Sequence, residues 1–344
     1  MFEKVIKKIL ESIDENVITA TYPKFSGDGY GVHKIDIKNF HSIEKINSDK
    51  RVAFIDGGNA EVLGSANFSL NVISVGCVIY QNNKKASINK FEILAFVHSV
   101  EQDNEIYYKT TFFQTKNLIK LNEMSFSSFD YTLMNGVNRA DISSVANAIR
   151  RFAELIIAKL ISDEKKADIV VLDGNLQSTL TNEDKYLNEL YESCAKNNVV
   201  LTALSKTNSL FTDNGNLLSV ILDSISMLES WFYHPIADIN NKNHKAEMFF
   251  VKFHNKSKHI FRFEVLNSQK MMSEEAIRIL AKSCCDPIFI GYPYGLVEAD
   301  RIARVSNQEK GYLKTMILAK LRNKNIQSYL NTKNAHEILD KISF

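Results

Sequence analysis

The sequence has few of the features that mark membrane, secreted or metal-thiolate proteins. Its longest apolar runs, residues 71–80 and 199–204, are far shorter than the roughly 20 residues that a membrane-spanning helix needs. The first residues, MFEKVIKKILESI, carry Lys and Glu among the apolar positions, so we expect no secretion signal. The four cysteines show no CxxC pairing and no zinc-ligand spacing. These absences predict a soluble, cytoplasmic protein with reduced thiols and no membrane partner.

Strong charge and the common catalytic motifs are also absent. A formal net charge of +2 gives little bulk attraction for nucleic acid, so DNA binding would need a local basic groove. There is no GxxxxGK[ST] loop, and no GxSxG or Cys/His context indicates a serine or cysteine hydrolase. The 344 residues, 45% of them apolar, are nevertheless enough for a large core, which excludes disorder as the main state.

The N-terminal half of the chain begins with a predicted amphipathic helix. Its apolar stripe must pack on another surface, which we expect to be its own sheet, with a dimer partner as the alternative. The stripe consists of Phe2, Val5, Ile6, Ile9, Leu10 and Ile13. Residues 22–50 are predicted to be an irregular connection or a basic flap. Four consecutive antiparallel strands are then predicted over 51–56, 68–80, 91–98 and 106–113, followed by a helix over 141–162 that starts at Asp141 or Ser143.

The C-terminal half alternates between strands and helices. Residues 168–173 and 199–204 are unbroken apolar runs typical of buried strands, and helices are predicted over 181–197 and 216–229. Paired strands over 247–253 and 259–266 precede helices over 273–282 and 300–322. Antiparallel strands followed by strand–helix units predict an α/β fold with an RNase H-like mixed sheet flanked by helices. We expect an N-terminal helix and connecting segment over 1–50, a central domain over 51–322 and a C-terminal tail over 323–344.

Two Asp-Gly pairs are the sharpest local features. Asp56 ends the first predicted strand in AFIDGGN, and Asp173 ends a buried strand in IVVLDGNLQ. A carboxylate at the end of a rigid strand suits a metal ligand, and the following glycines would let a ligand approach the backbone. An ordinary Asp-Gly turn is the alternative for each pair.

Two further segments carry candidate polar residues. Glu154, in RRFAEL, lies at the border of the apolar stripe of its helix, where it faces either the sheet or solvent. Two of the four prolines fall in DPIFIGYPYGLVEADRIARVS, a stiff elbow that contains Tyr292 and Asp300. An aromatic packing corner with a capped helix start is the alternative for this elbow.

Together these motifs resemble those of the NurA nucleases, DNA-end processing enzymes of archaea and bacteria with an RNase H-like core. The resemblance rests on AFIDGGN, IVVLDGNL, ALSKT and GYPYGLVEADRIARV, in this order, and extends from about residue 51 to residue 318. It implies a metal-dependent DNA nuclease, a 5′–3′ exonuclease and single-strand endonuclease acting in double-strand break end resection.

The resemblance also implies roles for individual residues. Asp56, Glu154 and Asp173 would bind catalytic Mn²⁺ or Mg²⁺, and Tyr292 would be the tyrosine of the C-terminal motif. Apart from the resemblance, two basic residues, Lys206 and Arg301, are candidates for contacts with DNA phosphates. Asp300 stands where the family usually has His, and as a hard oxygen ligand it could complete a carboxylate set but could not act as an imidazole. A solvated lysine at a strand end is the alternative for Lys206.

The implied partners are single-stranded and duplex DNA ends, a second copy of the chain and a hexameric HerA-type ATPase. A different class of function stays open: a NurA-like chain with weakened cleavage that serves as a DNA-binding scaffold for a motor, for which the Asp300 departure argues. An actin-like or sugar-kinase ATPase is disfavoured because AFIDGGN lacks the spacing and the hydroxyl of the phosphate loop in those proteins.

Overall fold

The structure, a computed structural model, describes residues 1–14, 21–114, 119, 121–207 and 209–321. Its helices are α1 (Phe2–Asp14), α2 (Val145–Asp163), α3 (Glu183–Asn197), α4 (Leu218–Ile225), α5 (Ser273–Ala281), α6 (Tyr294–Ala303) and α7 (Asn307–Leu321). Its strands are β1 (Pro23–Lys24), β2 (Tyr30–Val32), β3 (Phe40–Ser42), β4 (Arg51–Gly64), β5 (Phe68–Gln81), β6 (Lys84–Gln102), β7 (Glu105–Phe113), β8 (Met124–Ser127), β9 (Ile169–Asp173), β10 (Val200–Ser205), β11 (Phe211–Thr212), β12 (Trp231–Tyr233), β13 (Ala237–Ile239), β14 (Ala246–Lys252) and β15 (Phe261–Leu266). The predicted C-terminal tail, 323–344, lies outside the described residues. Within the described ranges, no helix has the length and apolar character to cross a membrane.

The chain divides into two compact units, and the first comprises residues 1–49, 173–177 and 200–294. Its main strands follow the order β3-β12-β14-β15-β10, and every neighbouring pair is antiparallel. Trp231, Tyr233 and Phe250 form a buried cluster with Leu218 and Leu222 of α4. Large aromatic side chains bury much apolar surface, which stabilises strands as short as β12.

The second unit comprises residues 50–172 and 178–199 and the chain from residue 295 onward. Its strands follow the order β9-β4-β5-β6-β7-β8, in which β4 and β9 are parallel and the other pairs are antiparallel. Helix α2 packs on β4 and β5, and α3 packs on α2. Residues 169–172 of β9 are almost fully buried, as expected of a strand covered on both faces. This arrangement confirms the predicted mixed sheet flanked by helices.

Strand β4 is longer than predicted, which changes the setting of Asp56. The sequence predicts a strand that ends on Asp56, but β4 continues through both glycines to Gly64 and stays paired with β5. The predicted strand end and the alternative Asp-Gly turn are therefore both wrong. The glycines allow a close approach instead, because a Cβ on Gly58 would lie only 2.4 Å from the carbonyl oxygen of Ala303 on α6.

Other predictions differ from the structure in extent. Residues 22–50 are not wholly irregular, since they contain β1, β2 and β3. The helix predicted over 216–229 is limited to α4, because the backbone at Ser226 is extended (φ −72°, ψ 131°). The helix predicted over 141–162 is confirmed as α2 after a short 3₁₀ turn, which Asp141 caps by accepting from the backbone N–H of Ser143 at 2.8 Å.

The apolar stripe of α1 is exposed rather than packed on the sheet. Phe2, Val5, Ile6 and Ile9 are 76%, 50%, 56% and 52% exposed, so the expectation that these four residues pack on their own sheet is wrong. The side chains of Leu10 and Ile13 lie outside the described part of the chain. A helix whose apolar face is open to water gains little tertiary stabilisation from that face.

The four cysteines are free thiols, as predicted. Burial raises the pKa of the Cys77 and Cys194 thiols to about 12, so neither forms a thiolate near neutral pH.

Candidate functional site

Asp56 and Glu154 are two buried acidic residues of the second unit. Both carboxylates are buried, at 4% and 3% exposure. Asp56 Oδ1 accepts a 2.7 Å hydrogen bond from the backbone N–H of Gly57. A Cβ on Gly57 would lie 2.3 Å from Glu154 Oε1, so the missing side chain makes room for that carboxylate. Glu154 therefore faces the sheet, and the solvated alternative is wrong.

Two arginines of α2 hold Glu154 in this position. The guanidinium of Arg150 donates to Glu154 Oε1 at 2.9 Å and to the carbonyl oxygen of Gly57 at 3.1 Å. Arg151 lies 3.5 Å from Glu154 Oε2 and donates through Nε to Glu183 at 2.8 Å. Burial would lower the pKa of Arg151, but the two carboxylates outweigh it and raise that pKa. This pairing was not predicted from the sequence, although the two arginines of RRFAE have the i,i+3 and i,i+4 spacing to the glutamate that indicates it.

The tight fit at Gly57 leads to a stability prediction. In Gly57→Ala, the added methyl group would meet Glu154 Oε1 at 2.3 Å and Arg150 Cγ at 2.9 Å, so the ion pair must move. We expect the free energy of unfolding, measured in urea, to fall by about 1–3 kcal/mol, as for other overpacked sites. Gly27→Ala is the matched control, because nothing lies within 4 Å of its Cβ position. Equal stability of the two variants would contradict the close contact.

A second group of candidate residues lies in the first unit. Lys206 Nζ is 2.5 Å from Asp173 Oδ2, and the hydroxyl of Tyr292 is 3.4 Å from Asp173 Oδ1. The ammonium also lies 5.7 Å from the centre of the Tyr292 ring, and the ring is fully buried. Lys206 is therefore paired with a carboxylate rather than merely solvated. The structure brings these three predicted residues together.

Asp300 and Arg301 are ion-paired on α6. Asp300 Oδ2 is 2.6 Å from Arg304 Nη2, and Arg301 Nη2 is 3.3 Å from Glu298 Oε1. Glu298 is buried and also pairs with Lys85 at 2.6 Å. Burial would raise the pKa of Glu298, but the hydrogen bond from Lys85 contributes to a net lowering. The ion pair between Glu298 and Lys85 therefore connects α6 to β6.

A buried network of charged residues contacts Leu176, which follows the IVVLDG motif in the first unit. Glu264 accepts hydrogen bonds from the backbone N–H of Leu176 at 2.7 Å and from Arg262 Nε at 2.5 Å. His244 Nε2 is 3.1 Å from Glu264 Oε1, and its Nδ1 is 3.0 Å from the hydroxyl of Tyr30. The two ring nitrogens of His244 therefore connect the carboxylate with the tyrosine hydroxyl. Burial would raise the pKa of Glu264, but Arg262 and His244 lower it to about 2.

The donors available to a metal are carboxylate oxygens. Within the described ranges, no group of three or more His, Cys, Asp or Glu side chains is close enough to form a metal-binding cluster. In this structure Glu154 forms ion pairs with two arginines, and Asp173 forms one with a lysine. Carboxylates at partly buried positions suit hard divalent cations such as Mg²⁺ and Mn²⁺. These carboxylates therefore fit such an ion once the arginine and lysine side chains move away from them.

Comparison with known proteins gives one family match and one fold match. A sequence model described as the NurA domain matches residues 50–305. No curated protein sequence matches the chain significantly. The crystal structure of the NurA nuclease from Sulfolobus solfataricus is similar with a TM-score of 0.53 and 13% identity, over 93% of this chain and 94% of that one. Human endonuclease V is similar with a TM-score of 0.39 and 12% identity, over 77% of this chain and 91% of that one.

The two matches agree with the motifs described above. The similarity to the Sulfolobus protein confirms the predicted RNase H-like fold. The family match spans well over half of the chain and includes the segments around Asp56, Glu154, Asp173 and Tyr292. The chain therefore belongs to the NurA family of nucleases.

Proposed function

We propose that this chain is a divalent-metal-dependent DNA nuclease that hydrolyses phosphodiester bonds. The observation that carries the proposal is the burial of two acidic side chains, Asp56 and Glu154, in a chain of a nuclease family. Burying a carboxylate is costly unless cations or hydrogen-bond donors compensate it, and buried acidic residues of this kind concentrate at functional sites.

We propose Asp56, Glu154 and Asp173 as ligands of Mn²⁺ or Mg²⁺, with Asp300 as a fourth acidic ligand. The parallel register of β4 and β9 supports the first and third, because it pairs Ile55 with Leu172 and these two aspartates are the next residues along the two strands. When bound, such an ion lowers the pKa of a water and neutralises charge on the phosphate. The protein contributes rigid strands that hold the ligands.

The remaining candidates have positioning and phosphate-binding roles in this proposal. The hydroxyl of Tyr292 donates to Asp173 and so orients that carboxylate, and in this proposal it would also donate to the scissile phosphate. Lys206 and Arg301 would contact phosphate oxygens of the substrate. The exposure of the Arg301 side chain, 69%, supports this role.

The finer features implied by the family remain part of the proposal. They are 5′–3′ exonuclease and single-strand endonuclease activity in end resection, a homodimer, and a HerA-type hexameric ATPase that feeds DNA to the nuclease. The exposed apolar stripe of α1 supports a protein contact, since Phe2 and Ile6 are open to water. A net charge of +2 supports a need for a motor, because it provides little long-range attraction for DNA.

A cleavage-weakened scaffold is the second candidate function. The observation that favours it is Asp300, which replaces the family's usual His and already forms an ion pair with Arg304. A carboxylate held by an arginine is less available to a metal than a free imidazole. Under this alternative the chain would bind DNA and its motor without cutting.

A cleavage assay separates the two candidates. We expect the full chain to degrade single-stranded and duplex-ended DNA in Mn²⁺ or Mg²⁺, to stop in EDTA, and to resume when the metal is restored. Addition of the cognate ATPase with ATP should speed the reaction. DNA binding without cleavage in either metal would favour the scaffold, and cleavage that persists in EDTA would contradict the metal site.

A further inference from the structure

A short basic turn joins β14 to β15 in the first unit. It consists of residues 254–259, His-Asn-Lys-Ser-Lys-His, and Lys256, Lys258 and His259 are exposed. Ser257 is buried, and its backbone N–H donates to the carbonyl oxygen of His254 at 3.0 Å. Its hydroxyl accepts from the backbone N–H of His259 at 3.1 Å. These internal bonds order the turn, so its lysines project from a defined backbone.

The turn lies directly against Gly291, which belongs to the GYPYG segment that contains Tyr292. Gly291 has φ +90°, and a Cβ there would lie 2.3 Å from the hydroxyl oxygen of Ser257, so the missing side chain admits the turn. The rings continue the contact: His259 meets Phe289 edge-on at 5.3 Å, and Phe289 stacks on Tyr292 at 4.9 Å. A chain of ring contacts therefore connects the exposed turn with Tyr292.

Positive charge is concentrated around this turn. Burial lowers the pKa of His254, and the charges of Lys45 and Lys256 lower it further. Glu229 is the acidic neighbour with a contact to the turn, through a 3.3 Å hydrogen bond from Asn255. With Lys258 included, lysines outnumber this carboxylate at the turn. The face suits an anionic polymer although the whole chain is nearly neutral.

We propose that the 254–259 turn binds the phosphates of the DNA strand whose scissile bond lies at Asp173 and Tyr292. The inference rests on the proposed nuclease function and adds to it a contact outside the acidic residues. Lys256 and Lys258 bind successive phosphates, and the ring contacts from His259 to Tyr292 fix the distance between these phosphates and the reacting one. Lysine contacts of this kind position a strand without reading its sequence.

Binding to single-stranded DNA in EDTA tests the turn separately from cleavage. The probe is a fluorescein-labelled single-stranded oligonucleotide, and anisotropy gives the affinity as a function of salt. For Lys256→Gln/Lys258→Gln we expect binding roughly 10- to 30-fold weaker near 0.1 M salt, and a slope of log affinity against log salt that is smaller by about 1.4. Two lost phosphate contacts on a single strand account for that change in slope.

The matched control is Lys34→Gln/Lys242→Gln, which removes the same charge from two exposed lysines elsewhere in the first unit. Its slope should equal that of the wild type. An unchanged slope in the turn variant, equal effects in both variants, or a wild type that binds no DNA would overturn the proposal. If the wild type binds DNA through the turn but never cleaves it, the proposed role of the turn stands and the proposed nuclease function is rejected. Circular dichroism confirms that both variants are folded.

Discussion

Asp56→Asn is expected to lower the rate of metal-dependent DNA cleavage at least about 1,000-fold while leaving the fold intact. Asparagine keeps the shape of the side chain and can still accept from the N–H of Gly57, so the local structure is preserved. It removes the negative charge that would hold the metal. Metal stabilisation of a transition state is worth several kcal/mol, and each 1.4 kcal/mol or so is a factor of ten in rate. Cleavage kinetics in Mn²⁺ measure the loss, and calorimetric titration should show weaker Mn²⁺ binding.

Asp168→Asn is the matched control for this experiment. Asp168 accepts from the backbone N–H of Arg51 at 2.7 Å, at the opposite end of the β4–β9 pair from Asp56. The same loss of charge there should leave both cleavage and Mn²⁺ binding near wild-type values. Asp173→Asn should reproduce the defect of Asp56→Asn. Full activity in both site variants would reject these two aspartates as ligands.

Glu264→Ala is expected to lower the free energy of unfolding by about 3–5 kcal/mol, the usual cost of removing one partner from a buried ion pair. The carboxylate is fully buried, and its loss leaves Arg262 and the backbone N–H of Leu176 without their acceptor. Glu264→Gln keeps an oxygen for one donor, so its loss should be smaller. Urea unfolding at pH 7 gives both values. Glu105→Gln, an exposed glutamate, is the control and should lose less than about 0.5 kcal/mol.

The stability that the Glu264 carboxylate contributes should decrease as the pH falls. Its pKa in the folded protein is about 2 and its ordinary value is 4.5, so the folded state favours the ionised form. The stability gained, roughly 3 kcal/mol, is complete above pH 4.5 and is lost as the pH falls from 4.5 towards 2. The stability difference between wild type and Glu264→Gln should therefore shrink over that interval. A difference that stays constant from pH 7 to pH 3 would contradict the ionised assignment.

The sequence was a good guide where one local pattern determines the structure. The unbroken apolar run before Asp173 predicts a strand buried on both faces, and β9 is such a strand. The end of β4 was not predictable in this way. Two consecutive glycines after Asp56 are a local signal for a turn, but their role is to admit Glu154 and the carbonyl of Ala303, which belong to distant segments.

Buried charges were the least predictable part of the site. The position of Glu154 on its helix allows either the sheet or solvent, and the space left by Gly57 on the distant strand β4 decides between them only in the folded chain. The buried pair of Glu264 and His244 has no sequence signature, because its contact with Leu176 spans 88 residues. Secondary structure follows from neighbours along the chain, whereas compensation of buried charge depends on residues that only the fold brings together.

In the proposed metal site, the cationic partners of the acidic residues would make metal loading an exchange of one cation for another. Glu154 is neutralised by arginines and Asp173 by Lys206 before any metal arrives. These carboxylates have little like-charge repulsion to relieve, so we expect the metal-free protein to stay folded in chelator. Its loading also responds to the concentration of free metal instead of trapping the first ion encountered, because each bound ion competes with a tethered side chain.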